Sequence, residues 1–447
     1  MALLVPSIAG NTTRSGIKAE PTMIYRFIKN NHAGNHYHVI PEVSSEGLLT
    51  FSSRKKTKSR RIESIDLLRG IVMIIMALDH VRDYFHKSAF LYNPEDLNHT
   101  NVILFFTRWI THFCAPVFVF LAGISAYLYG THKTKKELSL FLFTRGLWLV
   151  FAELFILSLF RTFNLSYHFF NLQVIWVIGV SMIVLSAMIF MKRTLLFVTG
   201  ILLIASHNLL DNVHITGNNI PAFLWALLHE TGFFTFGHFT FHVHYPAIPW
   251  VGIMAVGYCC GRLFKREYDP EKRRTILLSL GLIGTALFLL LRCNNAYGDM
   301  SNWSAQTSFA FTILSFLNVS KYPPSLQYIL MTLAPALIFL GLTGNSLNTF
   351  TKKITVFGRV PMFYYLLHIL MIHLLASIAA VTSGYKWSDM VLTTMINRSP
   401  ALKGYGFNLL IVYLVWVALI FILYPICKWF DDYKRAHRSH KWWLSYL

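Results

Sequence analysis

Two apolar stretches of this chain carry imidazoles and guanidiniums where such groups are costly. The first, Ile62 to His86, reads IESIDLLRGIVMIIMALDHVRDYFH. It is apolar from Gly70 to Leu78, yet it opens with Asp66 and Arg69 and closes with Asp79, His80, Arg82, Asp83 and His86. At 100° per residue, eleven residues add up to almost three helical turns. Arg69 and His80 therefore share one face, roughly 16 Å apart along the axis. The second stretch, FFTRWITHFCAPVFVFLAGISAYL, places Arg108 and His112 one turn apart on a single face. Neutral imidazole accepts protons or acts as a nucleophile near neutral pH, and a guanidinium stabilises a developing anion. Asp79 projects about 100° away from His80, so Asp83, three residues on, is the better-placed carboxylate to orient it. The plainer alternative is an interfacial ion pair on an ordinary first span. The clustering of ionisable groups beside an apolar run argues against it.

These groups must be positioned by membrane helices. Of 447 residues, 55% are hydrophobic and 13% charged, which is the composition of a polytopic membrane protein. Apolar runs near 64–86, 102–130, 138–162, 169–191, 194–210, 247–264, 275–292, 326–343, 355–381 and 407–427 predict an all-α helix bundle of about ten transmembrane helices. Residues 1–61 form a basic cytoplasmic tail expected to be disordered, 62–430 the membrane domain, and 431–447 a basic cytoplasmic C-terminal tail. With the first tail inside, 28 of the 40 Lys and Arg fall in cytoplasmic segments and 6 in external ones. This bias predicts both termini inside, in a cell (inner) membrane. It also accounts for the net charge of +20 without nucleic acid. A homodimer is compatible with this organisation.

Asn208 to Pro249 has no Lys or Arg but holds five histidines and several aromatics, and it suits a surface-lying segment roofing a cavity. His238, His242 and His244 sit close together there. With only Glu230 as a carboxylate and no Cys nearby, they read as hydrogen-bonding loop residues. The five cysteines lack metal-ligand spacing, so neither a metal site nor a disulfide is expected. On the third span Arg145, Glu153 and Arg161 drift by 80° per eight residues, which suits ion pairing. On the ninth, Arg359 and His368 fall on opposite helical faces, so at most one of them shares a site with the first span. Arg359 suits a phosphate, and His368 suits packing.

Several of these motifs carry a resemblance. DLLRG followed by a span and DH, TRWITHFCAPVFVFLAG, YPAIPWVGIM, KYPPSLQYILMTLAPAL and FGRVPMFYYLLHI together resemble the bacterial branch of the heparan-alpha-glucosaminide N-acetyltransferase catalytic-domain family, over nearly all of residues 62–447. The opening is also similar to that of membrane acyltransferases that acetylate surface glycans, in which the His matching His80 is taken as catalytic. The resemblance implies transfer of an acetyl group from cytosolic acetyl-CoA, a co-substrate rather than a bound cofactor, to a sugar or amino-sugar acceptor across the bilayer. In that scheme His80, His112, Asp83 and Arg108 form the catalytic group, and Arg69, Asp66 and Arg359 hold the CoA. The lysosomal members carry Asn at the place of His80, and their reactive His lies nearer the segment matching Pro116, Phe118 and Phe120. His86, His99 and His112 occupy that interval here, so four histidines remain candidates. A secondary transporter and a non-catalytic multi-pass protein are the alternatives, and a cavity continuous from the inner face to His80 would distinguish the enzyme.

The charge bias yields a direct test of topology. Reporter fusions at Asn218 and Pro270 are expected to report opposite sides of the membrane. The same side for both would contradict the arrangement.

Overall fold

The structure is a computed structural model that describes residues 38–43, 49–54, 63–343, 347–437 and 441–445. The chain divides after Arg60. Within the N-terminal segment expected to be disordered, His38–Val43 (β1) pairs antiparallel with Leu49–Arg54 (β2). The rest of that tail lies outside the described residues.

The second unit, Arg61–Leu447, is helical. Its helices are α1 Glu63–Phe85, α2 Val102–Gly130, α3 Lys135–Thr162, α4 Val174–Met188, α5 Arg193–Leu210, α6 Ile220–Leu228, α7 Ala247–Phe264 and α8 Pro270–Cys293. There follow α9 Phe309–Leu317, α10 Leu326–Leu342, α11 Thr349–Arg359, α12 Pro361–Thr382 and α13 Leu409–His437. Seven of them, α2, α3, α5, α7, α8, α12 and α13, are long and apolar enough to cross a membrane. The other three of the ten expected runs fall on α1, which carries too many charges to qualify on composition, and on the shorter α4 and α10. The count of ten is therefore one of apolar runs rather than of helices that satisfy both length and composition.

Local signals set the helix ends. The Thr134 side chain accepts from the Glu137 backbone while Glu137 reaches back to Thr134, a reciprocal capping box that opens α3. The Asn101 side chain caps α2 through the Leu104 amide. Pro361, which lacks an N–H, follows Val360 and divides the expected ninth span into α11 and α12. The angular count from Arg359 to His368 therefore does not hold across the break. Inside α3 a π turn, Ala152–Leu157, widens the helix. It takes back the drift of the eight-residue stripe, and Arg161 forms an ion pair with Glu153.

Helix α1 is the centre of this unit. It packs against α2, α10, α11, α12 and α13. Its closest neighbour is α11: a Cβ on Gly358 would stand 2.0 Å from the Asp66 carbonyl oxygen, and one on Gly70 would stand 2.3 Å from that of Ile354. Small residues let membrane helices approach to backbone contact. Antiparallel β4 Gly232–Phe236 and β5 Phe239–Val243 lie in the expected roof segment, and β5 pairs parallel with β3 Phe169–Leu172. Near the C terminus the expected basic tail begins within α13, where buried Asp431 accepts from Arg359 at 2.8 Å.

Gly358→Val is expected to push α11 off α1 and to destabilise the fold by about 1–3 kcal/mol or more, since the obstructing atoms are backbone. A thermal midpoint in detergent unchanged from wild type would contradict this packing.

Candidate active site

His80 sits toward the C-terminal end of α1 on the wall of a first cavity, of about 620 Å³. Its Nδ1 lies 2.8 Å from Nε2 of His368 on α12, with the two rings stacked at 15°. Nδ1 of His368 is in turn 3.0 Å from the Tyr364 carbonyl oxygen. A carbonyl only accepts, so Nδ1 of His368 carries the proton and, in the neutral ring, Nε2 accepts. His80 therefore donates from Nδ1, which leaves its Nε2 as the lone-pair nitrogen. A buried backbone carbonyl thus sets the tautomers of both rings. Tyr365 stands edge-on to His80 at 6.0 Å and accepts from Arg161 at 3.0 Å.

Three arginines on this wall are tied to acids. Arg108 pairs with Asp79 and donates through Nε to Glu95 at 3.2 Å. Arg82 lies 2.9 Å from Asp79 and 2.6 Å from Asp83. Arg161 holds Glu153, which accepts from the Trp176 amide at 3.2 Å. In the loop before α2, burial alone would raise the Glu95 pKa. The Arg108 guanidinium and the His112 imidazole instead hold its carboxyl well below the usual carboxylate range.

The expected site residues are distributed over two cavities. His80, Asp83 and Arg108 line the first one. His112 does not line it: the ring is buried behind Glu95, with Nε2 2.5 Å from Oε1. Asp83 engages Arg82, and the partner that orients His80 is His368, which the sequence reading assigned to packing. Of the other histidines in question, His86 is bonded to Ser88 at 2.5 Å, and exposed His99 to Asp96 at 2.7 Å. Phe233, Phe234, Phe236 and Trp225 of the roof do not line the cavity. Tyr245 does, with Tyr84, Tyr92, Phe169 and Tyr322.

Asp66, Arg69 and Arg359 line a second cavity, of about 470 Å³ and toward the N-terminal end of α1, together with Arg145, Lys434 and apolar side chains such as Met73, Phe118 and Ile175. Arg69 donates to Asp66 at 3.4 Å, to Ser125 at 2.8 Å and to the Gly358 carbonyl at 3.1 Å. Arg359 and His368 thus attend opposite ends of α1, Arg359 on the wall of the second cavity and buried His368 behind His80. The two cavities approach each other at Tyr365, which lines the second one and stands edge-on to His80, and at the Gln173–Val174 junction, which has one residue in each.

The roof carries a pH dependence. His242 stacks on Phe233 at 4.1 Å and lies beside the His244 ring, and burial, aided by the Arg398 guanidinium, lowers its pKa to about 4. Burial together with Arg82 and Lys87 does the same to His86. Both rings stay neutral in the fold but protonate near pH 6.5 once unfolded. Their stabilisation is complete above that pH and is lost as pH falls through about 4, on the order of 2 kcal/mol each. Thermal midpoints recorded from pH 7 to 4 are expected to fall, less steeply for His242→Gln. A wild-type midpoint constant over that range would contradict the assignment.

The motifs running from α1 to α8 also match a family as a whole. The family model described as heparan-alpha-glucosaminide N-acetyltransferase, catalytic, matches residues 61–291. That match covers His80, Arg108 and His112 and ends before Tyr364, Tyr365 and His368, so it is shorter than the resemblance of the motifs alone. No curated protein matches the chain. With more than half of its length matched and seven membrane-length apolar helices among the described residues, this chain is a membrane protein that belongs to the heparan-alpha-glucosaminide N-acetyltransferase catalytic-domain family.

Proposed function

We propose that the protein is an acyltransferase that moves an acetyl group from cytosolic acetyl-CoA to a sugar or amino-sugar acceptor on the far side of a cell membrane, with both chain termini on the cytosolic side. The observation that carries this reading is the His80–His368–Tyr364 relay. It supports an unprotonated Nε2 on His80 at the wall of a polar, aromatic-lined cavity. The family supports the group transferred.

In this scheme the acceptor hydroxyl or amine enters the first cavity and loses its proton to His80 Nε2 as it attacks the thioester carbonyl. Arg108 and Arg161 offer N–H donors to the carbonyl oxygen as it becomes negative. The C–S bond breaks, the new C–O or C–N bond is formed, and the proton passes from His80 to the departing thiolate, releasing free CoA. His368 is a positioning residue: it fixes the tautomer and shares the charge that His80 acquires. Asp83 acts through Arg82, and His112 through Glu95, which keeps Arg108 in place. At the second cavity Arg69, held by Asp66, and Arg359 face the CoA phosphates, with Arg145 and Lys434 on the same wall. Tyr365 stands where the two cavities meet, so its ring must turn aside for the thioester to reach His80.

Purified protein incubated with radiolabelled acetyl-CoA and a series of amino sugars is expected to label the acceptor. His80→Ala should lower transfer by roughly 10²–10⁴-fold while CoA binding persists. His368→Gln should lower kcat by about 10-fold or more and displace the acidic limb of the pH profile, which a merely structural change would not do. Full transfer by His80→Ala, or by His80→Asn as the lysosomal resemblance would permit, would remove the base from His80 and return the role to the other histidines.

A further inference from the structure

Away from both cavities, the end of α5 and the start of the roof bring together three side chains of metal-binding type. His207 closes α5, Asp211 follows one turn later, and His229 caps the C-terminus of α6. One ligand atom from each lies within 4.8 Å of the others. Both imidazoles are 1% exposed. Neither nitrogen of either ring, nor Asp211 Oδ1, has a hydrogen-bond partner among the described residues. His229 Nε2 is 3.2 Å from Asp211 Oδ1, close enough for an ion pair but off the line that a hydrogen bond requires. Asp211 Oδ2 is occupied, accepting from Asn208 at 2.8 Å, so the carboxylate is held with Oδ1 toward the histidines.

Buried imidazoles normally satisfy at least one nitrogen. Two adjacent rings that leave all four unmet, beside a carboxylate oxygen in the same state, are explained by a shared electrophile. We propose that His207, Asp211 and His229 bind a divalent transition metal, with zinc as the best fit. Zinc takes imidazole nitrogen at about 2.0–2.1 Å and carboxylate oxygen at about 2.0–2.2 Å, so in a tetrahedral site its ligand atoms lie roughly 3.3–3.5 Å from one another. The 3.2 Å between His229 and Asp211 already matches that spacing, and the other pairs, within 4.8 Å, close by at most about 1.4 Å through side-chain rotation when the ion enters. Two histidines and one carboxylate leave a fourth position for water, and Asn208 orients the carboxylate as an outer partner.

The position gives the metal a mechanical role. It ties the end of a membrane helix to the far end of α6, and the segment that follows forms the β4–β5 hairpin and delivers His244 and Tyr245 to the first cavity wall. The metal therefore pins the roof and does not touch the reacting atoms.

The test uses full-length, tag-free protein in detergent, stripped with a chelator and titrated with ZnCl2 by calorimetry, with bound zinc counted by elemental analysis. Wild type is expected to take up about one zinc per chain more than His207→Ala/His229→Ala. Its thermal midpoint should drop by several degrees on chelation and recover with ZnCl2, while the double variant stays unresponsive. Asp211→Asn keeps size and polarity, and it should bind zinc at least ten-fold more weakly. X-ray absorption of zinc-loaded wild type needs no variant: two imidazole nitrogens and a carboxylate oxygen around the metal are expected. A folded wild type that takes up no more zinc than the double variant, or a zinc environment lacking two imidazoles, would overturn the proposal.

Discussion

The structure turns on the need to partner Asp66, Arg69, Asp79, His80, Arg82 and Asp83 of α1 inside an apolar bundle. An unpaired charge at membrane depth is strongly disfavoured, and removing one member of a buried pair leaves the other uncompensated. Some of these groups pair within α1, as Arg82 does with Asp79 and Asp83, and the others recruit further elements. Asp79 draws in Arg108 from α2, and Arg69 reaches Ser125 on α2 and a backbone carbonyl of α11. His80 meets His368 from α12. Satisfying α1 therefore assembles α2, α11 and α12 around it, and the glycine contact with α11 locks its N-terminal half at backbone distance. The same requirement places a row of polar side chains on the walls of two cavities at opposite ends of one helix.

The relay at His80 shows why partners matter more than spacing. Asp83 stood at the right interval along the helix, but its carboxylate is engaged by Arg82, itself buried. A histidine oriented by a second histidine is also electrostatically different from one oriented by a carboxylate. The neutral partner does not stabilise an imidazolium by charge, so the pair favours a proton held briefly and passed on. That suits a group that must accept a proton from an acceptor and surrender it to a leaving thiolate within one turnover.

Much of the architecture was legible from composition and periodicity. The apolar runs locate the helices of the second unit, and the shared face of Arg69 and His80 on α1 was readable from 100° steps. Interactions at long sequence separation were not readable. His80 and His368 are 288 positions apart, and the angular reading of the ninth stretch failed because Pro361 breaks it. A proline within FGRVPMFYY was the available signal for that break. The π turn in α3 left no mark in the sequence, yet it decides that Glu153 and Arg161 pair. His112 shared a face with Arg108 as expected. What spacing could not show was Glu95, from the preceding loop, standing between His112 and the cavity. The roof histidines His238, His242 and His244 drew notice by proximity in sequence, whereas the His207, Asp211 and His229 cluster needs the fold to bring α5 and α6 together.

The most direct test of the account is a structure of the protein with a non-hydrolysable acetyl-CoA analogue. The account predicts phosphates against Arg69 and Arg359 in the second cavity, the Tyr365 ring turned aside, and the acyl carbonyl about 3–3.5 Å from the acceptor position facing His80 Nε2. An analogue seated with its acyl group away from His80, with the His80–His368 pair parted, would contradict it.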